Sequence, residues 1–201
     1  MLRIVDYGMG NLRSVQKAIE RAGAAAEITS DPDRVVTASR LVLPGVGAFG
    51  DAMRELHDRH LVEPIREFLE TGRPFLGICL GLQLLFETSE ESASETGLGI
   101  LPGRVVRFRL PPPYKVPHMG WNQVTRRNTP RWLASVPDGT YFYFVHSYYV
   151  VPHDPSDVAL VTEHGEPFCS AVARDNIFAS QFHPEKSQRA GARLLEAFLA
   201  Q

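Results

Sequence analysis

Through the first 86 residues, short apolar runs alternate with stretches of helical period. Leu2–Val5 has the pattern of a buried strand, and the Asp6-Tyr-Gly-Met-Gly10 segment behind it is a loop that needs glycine's freedom. Asn11 is placed to N-cap a helix that carries Leu12, Val15 and Ile19 on one face and stops at Gly23. A second strand near Ala26–Thr29 leads into Ser30-Asp-Pro-Asp33, the chemistry of a helix start. Residues 40–43 form a third strand, closing on Pro44-Gly-Val-Gly47, and helical patterns follow over 51–59 and 63–69, the latter ended by Gly72. Residues 74–86 then begin as an apolar strand and continue as a helix built on Leu82, Leu85 and Phe86. This alternation predicts an α/β fold, a mostly parallel central sheet covered by helices on both faces.

The pattern changes after Phe86. Residues 88–99 are polar and acidic, an expected exposed loop. Short strands are predicted at 105–108 and 121–125, separated by Leu110-Pro-Pro-Pro113, which has to lie outside a sheet interior. Residues 141–150 form one aromatic-rich strand, and strands continue at 158–163, 169–174 and 177–181, with Asp175-Asn176 as the tight turn between the last two. A closing helix from about Ser187 buries Ala190, Leu194, Leu195 and Phe198. The second half therefore reads as an antiparallel extension of the same sheet, within a single domain over 1–201.

Composition adds exclusions. Hydrophobic residues make up 44% and charged residues 22% of the 201, as in an ordinary globular chain. A formal net charge of -2, with no Lys/Arg run, gives no electrostatic case for nucleic acid or an anionic membrane. No apolar stretch is long enough to span a bilayer. A strand at the very start leaves no room for a signal peptide, so a cytoplasmic, reducing setting is expected for Cys79 and Cys169.

The candidate chemistry centres on Gly77-Ile-Cys79-Leu-Gly81, a Gly-x-Cys-x-Gly at a strand-to-helix junction. Glycines on both sides relieve the crowding of so sharp a turn, the shape of a nucleophile elbow. A thiol there stands at a helix N-terminus, whose macrodipole favours thiolate. Gln181-Phe-His183-Pro-Glu185 supplies a base and an orienting carboxylate after the final strand, with the imidazole left at the sheet edge because Pro184 cannot extend the ladder. Oxyanion donors are expected from the Leu80 N–H and from the Pro44–Gly47 loop, at Val46 and Gly47. Cys169 has no such elbow and is expected to be structural.

These residues, Gly-Ile-Cys79-Leu-Gly-Leu-Gln83 with Gln-Phe-His183-Pro-Glu185 downstream, resemble the class I (triad) glutamine amidotransferases. More narrowly, Pro44-Gly-Val-Gly-Ala-Phe49, Pro117-His-Met-Gly-Trp-Asn122, Tyr143-Phe-Val-His-Ser-Tyr148 and His183-Pro-Glu-Lys-Ser187 are similar to the glutaminase subunits of imidazole glycerol phosphate synthases. The resemblance implies the class I amidotransferase fold and hydrolysis of glutamine through a Cys79, His183, Glu185 triad and a glutamyl thioester, without metal or other cofactor. It implies that Gln83, Glu91, Ser147 and Tyr148 contact glutamine, Glu91 at its α-ammonium. It implies a partner, a cyclase subunit of (β/α)₈ form in a heterodimer, faced by Trp121, Asn122, Tyr143, His146 and Lys186. A flip of the Gly45–Val46 peptide is then a switch that forms the oxyanion hole when the partner is ready. Two alternatives stay open on the residues, beyond a remoter cysteine peptidase on the same fold, for which nothing suggests a peptide groove. One is the amidotransferase subunit of another synthase, such as one making anthranilate, against which Leu82 stands where those relatives commonly carry His. The other is a catalytically silent scaffold, against which the complete triad stands.

Overall fold

The structure, a computed structural model, describes residues 1–201, with the side chains of residues 131 and 135 left aside. In the first half, β1 (Leu2–Val5), α1 (Leu12–Arg21), β2 (Ala26–Thr29), α2 (Pro32–Val36), β3 (Arg40–Gly45), α3 (Phe49–Asp58), α4 (Val62–Glu70) and β4 (Phe75–Cys79) follow one another. The strands pair in parallel in the order β2-β1-β3-β4. The second half supplies α5 (Leu80–Gln83), β5 (Thr88–Ser89), β6 (Gly103–Arg107), β7 (His118–Arg126), β8 (Thr140–His146), β9 (Tyr148–Pro152), β10 (Val158–Glu163), β11 (Pro167–Arg174), β12 (Ile177–Ser180) and α6 (Gln188–Leu199). β12 returns to pair in parallel with β4, and from it the sheet runs antiparallel through β11, β10, β7 and β8.

The parallel strands are apolar on both faces because both faces are covered. Leu41 and Leu43 of β3 pack with Phe75 and with Leu56, Ile65 and Phe68 of α3 and α4. Val42 between them faces the other way, with Leu76, Ile78, Val15 and Ile19 of α1, and Leu194 and Phe198 of α6. Each such fully buried side chain contributes roughly 1.5–3 kcal/mol.

Several local expectations are corrected. Asn11 makes no side-chain cap, while Asp31 does cap α2, accepting from the Asp33 N–H at 3.0 Å. The helix after Cys79 ends at Gln83 rather than running on through Phe86. The carbonyls of Leu84, Leu85 and Phe86 accept instead from Leu98, Ile100, Leu101 and Gly99 of the returning chain. That return also makes 88–99 less than a free loop: Thr88–Ser89 pairs with β6, and Leu98 is buried. The strand expected over 141–150 breaks at Ser147, because β8 pairs with β7 while β9 pairs with β6 and β11. In α6, Ala190 is half-buried and Gly191 takes the inner position.

Candidate active site

The parallel register builds the site. Gly45 lies opposite Cys79, and Ser180 lies opposite Ile78, so the residues after β12 emerge beside the elbow. Cys79 closes β4 with φ 55 and ψ -107, a left-handed region that a non-glycine residue occupies only under constraint. The constraint is the tight packing around it. A Cβ on Gly77 would sit 2.8 Å from the Ala179 methyl, and one on Gly81 would run into the Leu43 carbonyl oxygen. The thiol is nearly enclosed, at 7% exposure. α5 is only four residues long, so its macrodipole is a weak source of the thiolate stabilisation expected from a helix.

His183 is held from both sides of its turn. Its N–H donates to the Tyr143 carbonyl at 2.9 Å, and its carbonyl accepts from the Ser187 hydroxyl at 2.6 Å. Ser187 Oγ in turn accepts from the Tyr143 N–H at 3.0 Å. β12 is a central strand, so the imidazole stands at the sheet's carboxyl end rather than at a lateral edge. Its Nδ1 meets Glu185 Oε1 at 2.8 Å, with both side chains buried. Nε2 is buried and makes no well-aligned hydrogen bond, leaving it free for the neighbouring sulfur. Burial opposes the imidazolium, but hydrogen bonding and charge from Cys79 and Glu185 outweigh it and carry the pKa up to about 10.

Beside the sulfur lies a cavity of about 150 Å³, lined by Val46, Gly47, Cys79, Leu80, Gln83, Glu91, Val145, His146, Ser147 and Tyr148. All four residues expected to contact glutamine are in this wall. Gln83 is already engaged, donating to the Tyr148 carbonyl at 3.2 Å and to Gln181 Oε1 at 3.1 Å, which leaves its own oxygen free. One Glu91 oxygen accepts the first N–H of α3, from Phe49, at 2.8 Å.

The residues expected to supply the oxyanion donors, Val46, Gly47 and Leu80, all line the cavity. Along β3 the residues that bond to β4 alternate, in the phase set by the Leu41 N–H on the Pro74 carbonyl. That phase aims the Leu80 N–H at the Gly45 carbonyl. The register thus directs the Leu80 N–H toward the β3 ladder rather than into the pocket. Tyr7, fully buried, donates its hydroxyl to the Pro44 carbonyl at 2.9 Å and braces the loop from below.

Of the residues expected to face a partner, Trp121 is 46% exposed and stacks edge-on against Tyr143 at 6.1 Å, with the Lys186 ammonium 5.9 Å from the same ring. Met119 and Tyr141, also exposed, extend this patch over β7 and β8. His146 is corrected: it is buried, in the cavity wall. The Asn122 amide is used within the chain, donating to the Glu163 carbonyl at 2.8 Å and bonded to His118 at 3.1 Å. Sequence reasoning gave no role to Tyr7, His118 or Gln181. Gln181 shared a motif with His183, and His118 one with Trp121 and Asn122, whereas Tyr7 carried no such signal. Cys169 is a free thiol inside β11, pushed up to about 12 by burial. Among the described residues, no group of three or more His, Cys, Asp or Glu side chains is arranged to hold a metal ion.

A nucleophile elbow, a buried imidazole–carboxylate pair and a pocket at the carboxyl end of a parallel sheet define a hydrolase of the triad type. The sequence model of the class-I glutamine amidotransferases matches residues 3–201, and the chain belongs to that family. It is 58% identical over 198 residues to a Rhodopirellula baltica protein named imidazole glycerol phosphate synthase subunit HisH, spanning 98% of this chain and 96% of the relative. A protein of the same name from Syntrophotalea carbinolica is 55% identical, spanning 98% of each. The fold is shared with PurLQS from Thermotoga maritima, at a TM-score of 0.76 and 19% identity over 99% of this chain and 97% of that one. A glutamine amidotransferase from the same organism superposes at a TM-score of 0.63, with 19% identity over 99% of this chain and 82% of that one.

Proposed function

We propose that this chain is the glutaminase subunit of an imidazole glycerol phosphate synthase. It hydrolyses L-glutamine to glutamate and ammonia, and a cyclase subunit uses the ammonia to make imidazole glycerol phosphate and an aminoimidazole carboxamide ribotide in histidine biosynthesis. Residues 1–201 act as one amidotransferase domain, working in the cytoplasm. The observation that carries this reading is the buried His183–Glu185 pair, brought by the β4–β12 register to the end of the sheet that holds Cys79 and a pocket walled by Gln83, Glu91, Ser147 and Tyr148. Near-full-length identity to proteins named for that synthase supports the pathway.

In this mechanism Cys79 gives its proton to His183 Nε2 and its sulfur attacks the side-chain amide carbon of glutamine. His183 returns the proton to the departing nitrogen, ammonia leaves, and a glutamyl thioester remains. Water, losing a proton to His183, then attacks the thioester, and glutamate and the Cys79 thiol are regenerated. Glu185 keeps the imidazole in one orientation and stabilises its charged form. The tetrahedral oxyanions need donors, so the Gly45–Val46 peptide must turn. Its rotation withdraws the Gly45 carbonyl from Leu80 and presents the Val46 N–H, with Gly47 (φ +101) giving the loop its freedom. The partner is a (β/α)₈ cyclase in a heterodimer, docking on the Trp121, Tyr143 and Lys186 face. That face also bears on the triad, since the Tyr143 backbone clamps the His183 turn.

The test is glutamate release by the purified chain alone, with cyclase, and with cyclase plus its nucleotide ligand. Release should be slow alone, rise at least about tenfold in the full mixture, and vanish in Cys79→Ala. Equal rates in all three would remove the Gly45–Val46 switch, and no release in the full mixture would remove the assignment.

A further inference from the structure

A thiolate needs donors, and the one-turn α5 is a poor one. The structure brings another to the sulfur. Gln181 Nε2 lies 3.7 Å from Cys79 Sγ, a length suited to sulfur, and its side chain has no solvent exposure. The register explains the meeting. β12 pairs with β4 up to Ser180 opposite Ile78, so the next residues, Gln181 and Cys79, are neighbours, and Gln181 shares its side of the chain with His183.

The amide's orientation follows from its partners. The Tyr148 carbonyl can only accept, so Gln83 must turn its Nε2 toward it, at 3.2 Å. The second hydrogen of that nitrogen goes to Gln181 Oε1, at 3.1 Å. With its oxygen taken, Gln181 has its N–H₂ left for the sulfur. The Tyr148 carbonyl also accepts from His146 Nδ1 at 2.8 Å, which anchors the start of the chain of bonds.

We propose that Gln181 is a further catalytic residue, whose amide holds the Cys79 sulfur as a thiolate aimed at the pocket, and that Gln83 fixes its orientation. This rests on the glutamine-hydrolase reading for its consequence in turnover, but not for its effect on the sulfur. When the Sγ proton passes to His183 Nε2, the Gln181 N–H becomes a charge-assisted donor, and no other group changes its protonation. The bond weakens as the C–S bond forms, since a thioester sulfur is a poor acceptor, so its gain lies in the fraction of sulfur held as thiolate before attack.

The variants are Gln181→Met, which keeps the length and removes the donor, and Gln181→Glu, which keeps the shape and sets an acceptor against the sulfur. The pH midpoint of Cys79 alkylation by iodoacetamide should rise by about one unit in Gln181→Met and further in Gln181→Glu. With cyclase and nucleotide present, kcat should fall roughly ten- to a hundredfold, with KM changed far less. A midpoint and a kcat equal to wild type in a folded Gln181→Met protein overturn the proposal. A wild type that releases no glutamate would instead sink the hydrolase reading, and the alkylation midpoints would still judge Gln181. Should both variants misfold, wild type carrying ¹⁵N-glutamine decides. One buried side-chain amide resonance should titrate with the alkylation midpoint and stop doing so in Cys79→Ala, and finding none overturns the proposal.

Discussion

Burying the Glu185 carboxylate at 2% side-chain exposure carries a desolvation cost that its 2.8 Å contact with His183 Nδ1 has to offset. The contact succeeds because the imidazole it meets is raised to about pH 10 and so remains a cation partner. Glu185→Gln keeps the shape and removes the charge. It should lower kcat by roughly 10²–10⁴-fold with a smaller change in KM, as steady-state kinetics with cyclase present will show. Its stability cost has a defined pH window. A folded pKa raised above the unfolded value of 6.5 contributes stability that is complete below 6.5 and lost as pH rises through about 10. The Tm gap between wild type and Glu185→Gln, worth roughly 2 kcal/mol, should therefore be widest near pH 6 and closed by about pH 10. Cys79, His183 and Glu185 were legible in the sequence because each is marked by its immediate neighbours, two glycines in one case and a proline in the other. Gln181 was not, since its contact with Cys79 spans 102 positions and exists only through strand register.

The elbow as an element depends on how closely β3, β4 and α5 approach. Gly81 has an ordinary backbone conformation, so its reason for being glycine is space: a Cβ there meets the Leu43 carbonyl oxygen. Gly81→Ala must push α5 off β3 and with it the Leu80 N–H and the sulfur. Overpacking of this kind costs about 1–3 kcal/mol, so Tm should drop by several degrees. Glutamate release should fall more than the fraction unfolded explains, and a full-rate, full-stability Gly81→Ala protein would show that the approach is looser than this packing implies. At this scale the sequence was legible where an element's pattern is local. The parallel half, with β1 to β4 and α1 to α4, followed from apolar period, with a side-chain cap realised only at Asp31 of α2. Where distant chain supplies the hydrogen bonds the reading failed: α5 ends early where residues 98–101 claim the carbonyls of 84–86, and the aromatic strand divides at Ser147 because its two halves have different partners.

Across the whole molecule, the outer β7–β8 pair is wired to the pocket by neutral histidines. His146 Nδ1 faces the Tyr148 carbonyl at 2.8 Å and must donate, so its Nε2 accepts. His118 Nδ1, 3.0 Å away, is then the donor, and its Nε2 accepts from the Asn122 amide at 3.1 Å. His164 stacks on His118 at 4.1 Å. A proton added to either ring sets two N–H groups against each other. Burial, and the charge of His164, hold His118 down at about 4. Burial also holds His146 at about 3, against the pull of the Tyr148 carbonyl, with charge on His118, His164 and His183 adding to it. Both folded values lie below the unfolded 6.5, so between them the unfolded chain binds more protons and stability rises with pH. The contribution is complete above 6.5 and is lost as pH falls toward 4. His146, fully enclosed, carries most of it, on the order of a few kcal/mol. Wild-type Tm should fall steeply from pH 6.5 to 4. His146→Gln should be less stable at pH 7 yet show a shallower acid slope, because one of the two groups that drive the fall no longer titrates. Differential scanning calorimetry across that range measures both, and parallel slopes would mean that other groups, not this histidine chain, set the acid limit of the fold.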